Sequence, residues 1–293
     1  MRRRIAKRSL DVSVCLEVYN EEQRLEACLK CFEWAKELVV FDKCSTDNTV
    51  AIARKYGAKV VTVPRTSASE NYEIWGQHLS CEWTLSITAS SLIHPEVVYQ
   101  IEKYVSDTNF AYDVIGLPFG MYVFGVRSKY SAWYAKNKLT LIRTSVLRFS
   151  NELHKEVSFA SDKVFTLQTT KADEVLYHLT HENLGTFMDR ITRYAAYEAN
   201  WIYEQNQGKN RNKRLAESFY KIFKGLAILV LKRRFFMMGI DGCVMALAYL
   251  LSLSCSTVYL WERYRVGHSG PQVYSEIRRK LSDLWDDEFK SRA

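Results

Sequence analysis

Glycine and proline are scarce in this chain, with 12 and 4 positions among 293 residues. Hydrophobic residues make up 47% of the chain and charged residues 25%. This balance excludes collagen-like, low-complexity and disordered proteins, since those classes are rich in glycine and proline or too poor in apolar side chains to form a core. The length suits one α/β catalytic unit with an added C-terminal element.

The number of cysteines is odd: seven residues are scattered from Cys15 to Cys255. Such a set does not predict a disulfide framework and favours a reducing compartment facing the cytosol. Cys28 and Cys31 form one C-x-x-C, but no second pair accompanies them, and they fall within a helical apolar pattern. We therefore expect two small side chains facing the core rather than zinc ligands.

The net charge of +8 is distributed unevenly. Residues 207–234 contain nine basic residues against one acid, Glu217, and residues 1–8 contain five more basic residues, so the rest of the chain carries −5. A nucleic-acid groove would place basic residues and aromatics across the folded domain. This distribution instead predicts anionic lipid as the partner, at about 1 kcal/mol per basic residue near the surface. A solvated charge run is the alternative for the N-terminal arm.

Residues 242–261 carry no charge and are numerous enough to span a bilayer. Three serines and a threonine dilute this segment, and a shorter apolar run at 225–231 directly precedes the basic triplet 232–234. The pattern favours two helices lying in the cytoplasmic leaflet over a clean span, with a buried helical hairpin as the alternative. We expect no signal peptide, because the basic start leads into a predicted strand.

The first ninety residues alternate strand and helix patterns. The β-α-β-α-β order with short connections predicts an α/β fold with a Rossmann-like, doubly wound, mostly parallel sheet. Asn20 is expected to cap the first helix and Gly57 to end the second. The predicted strands are 12–18, 38–41, 59–63 and 83–87, and the predicted helices are 25–35, 45–56, 70–80 and 183–205.

Ligands bind beyond the carboxyl ends of the strands in such a sheet, and polar residues follow three of the predicted strands. No Gly-x-Gly-x-x-Gly follows the first strand and there is no Walker A loop, which speaks against a dinucleotide or P-loop site. An aromatic ring for stacking and carboxylates for base or ribose donors suit a nucleoside. The residues are Tyr19, Asn20 and Glu21 after the first strand, Asp42, Ser45 and Asp47 after the second, and Thr88, Ser90 and Ser91 after the fourth.

Several of these motifs resemble the inverting family 2 glycosyltransferases, and they are most similar to the branch that includes lipopolysaccharide core glucosyltransferases. The motifs are Tyr-Asn-Glu-Glu at 19–22, Asp-x-x-Ser-Thr-Asp at 42–47, WTLSITASSLIHPEVV at 83–98 and HLTHENLGTFMDR at 178–190. The resemblance covers most of the chain in the expected order. It implies that Tyr19 and Glu21 face the nucleotide of the donor, that Asp42 reads the base, and that Ser45 and Asp47 shape the pocket.

The resemblance also implies a domain organisation and a reaction. A nucleotide-sugar-binding catalytic domain of the glycosyltransferase A (GT-A) type is expected at 9–180, and a helical, membrane-associated region at 181–293. The implied reaction moves a hexose, with inversion, from a nucleotide-diphosphate sugar to a lipid-linked or lipopolysaccharide-type acceptor. The implied location is the cytoplasmic face of the inner (plasma) membrane, with peripheral or monotopic attachment.

Two positions depart from the family pattern. The family places Asp-x-Asp after the fourth strand to hold the divalent cation of the donor diphosphate, whereas this chain has Thr88-Ala89-Ser90. Hydroxyls are poor substitutes, because a hard dication prefers anionic oxygen ligands. This puts a divalent-cation cofactor in doubt and leaves no predicted metal ligand. At His154-Lys155-Glu156, Lys155 stands where the family has an acid.

Two accounts of these departures remain open. In the first, the chain is an enzyme in which Lys155, or an arginine such as Arg143, supplies the charge that a metal gives in relatives. Glu156 and Asp113 are then the candidates for the base. In the second, the chain is a catalytically inactive glycosyltransferase-like protein that acts as a glycan-binding or partner subunit. The intact set of nucleotide-side residues favours the enzyme.

Overall fold

A computed structural model describes residues 5–64, 72–149, 157–266 and 272–291. The chain divides into two compact units, residues 1–187 and 188–293. The strands are β1 (Leu10–Val18), β2 (Ala35–Asp42), β3 (Lys59–Thr62), β4 (Trp83–Ile87), β5 (Ser91–Ile93), β6 (Val114–Val123), β7 (Asn137–Arg143), β8 (Leu147–Phe149), β9 (Val157–Phe159), β10 (Val164–Thr166) and β11 (Leu176–Thr180). The helices of the first unit are α1 (Glu22–Cys31), α2 (Thr49–Lys55) and α3 (Pro95–Val105).

Nine of the described strands form one sheet in the order β3-β2-β1-β4-β7-β6-β11-β5, with β10 beside β6. The strands β1 to β4 are mutually parallel, β7 is antiparallel to its neighbours β4 and β6, and β6 is parallel to β10 and β11. The prediction of a mostly parallel sheet is therefore confirmed. We call the side on which β1, β2, β4 and β6 finish the carboxyl end of the sheet, and the opposite side its amino end.

The main core lies between this sheet and the helices that cover it. The five consecutive β1 residues 12–16 are all fully buried, because a parallel strand is covered on both faces. Helices α1 and α3 each direct an apolar stripe towards the core, as helical spacing requires. The buried residues of these stripes are Leu25, Cys28 and Leu29 of α1, and Val97, Val98 and Ile101 of α3.

Three local predictions differ in outcome. The assignment of Asn20 as the cap of α1 is wrong, because its backbone is left-handed with φ of 53° and Glu21 occupies the N-cap position. Gly57, with φ of 66°, ends the second helix as predicted. The helix predicted at 70–80 is a 3₁₀ helix, Tyr72–His78, in its described part.

Two residues of the basic N-terminal arm are held within the first unit. Lys7 is ion-paired with Glu33 at 2.6 Å. The Arg8 guanidinium donates hydrogen bonds to the carbonyls of Tyr56 and Gly57, at 2.6 and 3.4 Å. Arg8 is thus tied to the fold by its hydrogen bonds, whereas the Lys7 side chain is 72% exposed, and the lipid contact of this arm stays a prediction. Residues 1–4 lie outside the described residues.

The second unit is helical. Helix α4 (Leu184–Gln205) begins in the first unit, and α5 (Arg211–Ala227), α6 (Gly239–Val266) and α7 (Gln272–Ser291) follow. A π-helical turn, Ile228–Arg233, and a 3₁₀ helix, Phe235–Met238, connect α5 to α6. The two helices pack as a hairpin in which the hydroxyls of Ser218 and Thr257 are hydrogen-bonded at 2.8 Å.

The hairpin leaves many apolar side chains exposed. We call these residues the hairpin apolar surface: Phe219, Phe223, Leu226, Leu231, Phe236, Ile240, Val244, Leu247 and Leu251. Leu231 and Ile240 are each 77% exposed. Within the described residues, Phe235–Arg265 is the one helical stretch that is long and apolar enough to cross a membrane, by length and composition alone, and 28% of its most apolar window is buried.

Candidate active site

Two loops meet at the carboxyl end of the sheet, one after β1 and one after β2. The backbone N–H of Asn20 donates to Ser45 Oγ at 2.9 Å, and Asn20 Oδ1 accepts from the backbone N–H of Thr46 at 2.8 Å. The backbone N–H of Glu21 donates to Thr49 Oγ1 at 2.8 Å. The adjacent parallel strands bring these loops together, and the hydrogen bonds fix their spacing. The structure thus brings the predicted residues of the first two strand ends into one site.

Asp47 organises the second loop and the start of α2. Its carboxylate accepts from the backbone N–H of Glu22 at 3.1 Å and from that of Thr49 at 3.0 Å. Burial raises the pKa of Asp47, but the hydrogen bonds from Thr49 and Glu22 outweigh that effect and leave the pKa below its usual range. Asp47 therefore acts as a structural anion that joins the two loops, and its role in shaping a nucleotide pocket stays a prediction.

Asp42 and Glu21 differ in how their carboxylates are used. Asp42 is only 3% exposed, and both of its carboxylate oxygens accept from the backbone N–H of Ser45 at 3.2 Å. A carboxylate has about four acceptor positions, so this single donor leaves capacity for a ligand. Glu21 instead accepts from Arg24 at 2.8 and 2.5 Å, and Tyr19 lies half-buried directly after β1.

The end of β4 carries a cluster of hydroxyls around one imidazole. Thr88 Oγ1 lies 2.9 Å from Ser90 Oγ and 3.2 Å from Ser91 Oγ. His178 Nδ1 lies 3.2 Å from both Thr88 Oγ1 and Ser90 Oγ. The antiparallel pairing of β11 with β5, which sets His178 opposite Ser91, brings the imidazole here. We call Thr88, Ser90, Ser91 and His178 the hydroxyl–histidine cluster.

This cluster does not fit Mg²⁺ or Mn²⁺. Its oxygen donors are neutral and already hydrogen-bonded to one another or to the imidazole, whereas hard dications prefer anionic oxygen ligands. The part of the chain that the structure describes contains no group of three or more histidine, cysteine, aspartate or glutamate side chains that could hold a metal ion. Neutral hydroxyls of this kind contact phosphate oxygens more readily than they ligate a hard cation.

Asp113 and Arg143 lie apart from this site. Asp113 precedes β6 and Arg143 ends the antiparallel strand β7, so both lie at the amino end of the sheet. Asp113 accepts a hydrogen bond from Ser161 Oγ at 2.6 Å, and its other oxygen lies 3.6 Å from Arg143 Nε. Arg143 also pairs with Glu82. This position contradicts the candidate roles of Asp113 as the base and Arg143 as the charge at the diphosphate.

Lys155 and Glu156, the other catalytic candidates, lie outside the described residues, so both stay predictions. His178 is the residue that the sequence reasoning missed. In the sequence, His181 follows it three residues later, but no acidic partner of known metal-site geometry accompanies the pair. Its position in a short strand that ends with polar residues could have indicated a site residue, but only the order of the strands places it beside Thr88.

Comparisons with known proteins identify the family. Residues 13–165, more than half of the chain, match the family model described as glycosyl transferase family 2. A Rickettsia bellii protein described as an uncharacterized glycosyltransferase is 27% identical over 243 residues, which is 80% of each chain. A similar protein from Rickettsia conorii is 25% identical over 244 residues, covering 80% of this chain and 83% of that protein.

Solved structures show more distant similarity. A crystal structure of S. aureus TarS, residues 1–349, is 16% identical with a TM-score of 0.44, covering 88% of this chain and 92% of that chain. Glucosyl-3-phosphoglycerate synthase from Mycobacterium tuberculosis, in complex with Mn²⁺ and UDP-glucose, is 23% identical with a TM-score of 0.29, covering 39% and 44% of the two chains. The α/β fold with its mostly parallel sheet is GT-A-like. On the family match, this chain belongs to glycosyl transferase family 2 and is an enzyme of the glycosyltransferase kind.

Proposed function

We propose that the chain transfers a hexose, with inversion, from a nucleotide-diphosphate sugar to a lipid-linked or lipopolysaccharide-type acceptor at the cytoplasmic face of the membrane. The observation that carries the donor assignment is the junction of the two loops at the carboxyl end of the sheet. There the buried Asp42 carboxylate retains acceptor capacity beside Tyr19. A base N–H or a ribose hydroxyl would occupy that capacity. The family match supports glycosyl transfer from such a donor.

We further propose that transfer does not require a divalent cation. The acceptor hydroxyl oxygen bonds to the anomeric carbon of the sugar, and the bond from that carbon to the diphosphate oxygen breaks. The departing electron pair leaves negative charge on the diphosphate, which hydrogen-bond donors and cations must stabilise. The hydroxyl–histidine cluster, at the end of β4, supplies donors there but no ligand set suited to a hard metal ion.

The membrane part of the proposal depends on the hairpin apolar surface. Monomeric soluble proteins seldom expose large contiguous apolar patches, and such patches commonly mark sites of interaction. The exposed basic residues Lys224, Lys232 and Arg234 belong to the same hairpin. An apolar surface accompanied by lysine and arginine fits the interface of an anionic bilayer, where a helical hairpin lies without crossing.

Transfer itself is tested with purified full-length protein, membrane lipid extract and radiolabelled nucleotide sugars, in the presence and absence of EDTA. We expect labelled lipid to form at similar rates under both conditions. Transfer that EDTA abolishes would contradict the metal-independent part. Nucleotide-sugar binding without any transfer would favour the alternative of an inactive glycan-binding or partner subunit.

The donor site is tested by Asp42→Asn, which keeps the side-chain shape but removes one acceptor and the charge. We expect nucleotide affinity, measured by calorimetry, to fall by roughly tenfold to a hundredfold, as for the loss of a hydrogen bond to a charged group. The control is Asp162→Asn, an exposed acid before β10 that removes the same charge. Equal affinities in the two variants would contradict the assignment of Asp42.

Membrane attachment is tested by replacing Lys232, Arg233 and Arg234 with glutamine and measuring co-flotation with vesicles containing anionic lipid. At about 1 kcal/mol per basic residue near the surface, we expect roughly a hundredfold weaker binding. Replacing the three basic residues 278–280 of α7, which are also exposed, removes the same charge elsewhere in the second unit. Unchanged flotation of the 232–234 variant would refute the electrostatic part of the proposal.

A further inference from the structure

The diphosphate of the proposed donor needs a positive charge near the end of β4, and the described residues offer few cations there. Lys43, which follows β2, is ion-paired with Glu17 at 2.7 Å, with both side chains largely buried. Arg24 is paired with Glu21 at 2.5 Å. Each of these charges is already balanced by a carboxylate. Among the described residues, a cation without a carboxylate partner is found on the neighbouring strand β7.

Lys138 lies near the start of β7, the strand next to β4. The two strands pair antiparallel, and Thr140 Oγ1 donates a hydrogen bond to the carbonyl of Ser86 at 2.6 Å. Leu85 is paired with Leu141, so Lys138, three residues nearer the start of β7, lies towards the carboxyl end of β4. The strand that carries Lys138 thus delivers it to the carboxyl end of the sheet, the end at which the hydroxyl–histidine cluster lies.

The side chain of Lys138 points along the same face of the sheet as that cluster. Its ammonium lies 5.6 Å from the centroid of the Phe119 ring. The Phe119 ring stacks on the His178 imidazole, with centroids 6.0 Å apart and planes 27° from parallel. His178 in turn contacts Thr88 and Ser90. The ammonium, the ring, the imidazole and the hydroxyls are therefore linked by successive contacts.

The electrostatic setting of Lys138 suits an incoming anion. Among the residues that the structure describes, no carboxylate lies within ion-pair distance of its ammonium. Surrounding protein groups lower its pKa by desolvation, although more than a third of the residue surface still contacts solvent. A diphosphate would compensate the partial loss of hydration, and a lysine provides a point charge without a demand for bidentate geometry.

The geometry points to Lys138 as the residue that binds the donor diphosphate and stabilises its charge when the sugar leaves, in place of a divalent cation. This inference rests on the proposed function. As the bond from the anomeric carbon to the diphosphate oxygen breaks, the electron pair stays on that oxygen and the ammonium faces the resulting charge. The proton of the acceptor hydroxyl passes to the base on the acceptor side, for which Glu156 is the sequence prediction.

The test compares nucleoside diphosphates with the matching monophosphates, by calorimetry in EDTA, using the uridine, guanosine, adenosine and cytidine pairs. For the pair that the unmodified protein binds, Lys138→Met should weaken diphosphate binding by roughly tenfold to a hundredfold and change monophosphate binding by less than about threefold. Lys138→Arg should restore most of the diphosphate affinity. Lys163→Met, which removes an exposed lysine at the amino end of the sheet, should change neither affinity.

The possible outcomes separate this inference from the proposed function. The role of Lys138 would be overturned if Lys138→Met left diphosphate binding unchanged. It would also be overturned if the substitution weakened diphosphate and monophosphate binding equally. Either result would leave the proposed donor site intact. Failure of the unmodified protein to bind any of the four pairs would overturn the proposed donor and the inference with it. Circular dichroism of each variant confirms that the compared proteins are folded.

Discussion

Thr49→Val should loosen the junction on which the proposed nucleotide site depends. Thr49 is fully buried, and its Oγ1 accepts the backbone N–H of Glu21 at 2.8 Å while its hydroxyl supports the Asp47 carboxylate. Valine has nearly the same shape but cannot accept that N–H. A buried donor left without a partner costs about 1–3 kcal/mol. We therefore expect the free energy of unfolding to fall by that amount and nucleotide affinity to fall with it.

Urea unfolding followed by circular dichroism measures the stability of the Thr49 variants, and calorimetry measures nucleotide binding. Thr49→Ser retains the hydroxyl and should keep most of the affinity, losing only the packing of one methyl group. Thr62→Val, at an exposed threonine of β3, should change stability by less than about 0.5 kcal/mol. If Thr49→Val matched Thr62→Val in both measurements, the hydrogen bond to Glu21 would have no part in holding the two loops together.

Two further substitutions test other parts of the chain. Gly225→Leu should destabilise the α5–α6 hairpin by about 1–3 kcal/mol, because a Cβ there would lie 2.6 Å from Leu253 Cδ1. Thermal melting checks this, with Ala227→Leu at an exposed position as the control. Hydrogen bonds, first from the backbone N–H of Lys171, hold the pKa of Glu174 below its usual range. Glu174 therefore contributes stability above about pH 4.3 that is lost as the pH falls further. Urea unfolding at several pH values should show Glu174→Gln less stable than the unmodified chain at pH 7 and equal to it in strong acid.

The parallel half of the sheet could be predicted because its strands are nearly continuous apolar runs separated by helical patterns. Leu10–Val18 and Ala35–Asp42 are covered on both faces, so each strand is recognisable in the sequence as a run of mostly apolar residues. Asn20 could not be placed by the same reasoning. Asparagine is favoured both as a helix cap and in the left-handed conformation, and only the hydrogen bond to the second loop selects the latter.

The second half of the sheet leaves a weaker pattern. Strand β6 is a buried strand with neighbours on both sides, yet it contains Gly116, Pro118 and Gly120, which locally disfavour a central strand. Pairing with β7 and β11 overrides that local preference. The partners are separated along the chain, so no short window of sequence contains the information that makes β6 a strand.

The error for Asp113 and the omission of His178 have one physical cause. An acid or a histidine beside a strand lies at the carboxyl or the amino end of the sheet according to the direction of that strand. Asp113 lies just before β6, which runs parallel to β4, so it is placed at the end opposite to Thr88. His178 is carried by β11 and reaches Thr88 because β11 pairs with β5. Residue type predicted the chemistry of the first two loops, because short β-α-β connections determine the order of those strands. The placement of site residues could not be predicted beyond β4, because an antiparallel strand is inserted between β4 and β6. The same insertion carries Lys138 to the carboxyl end of the sheet, so its position there depends on the order of the strands and not on the spacing of a short sequence motif.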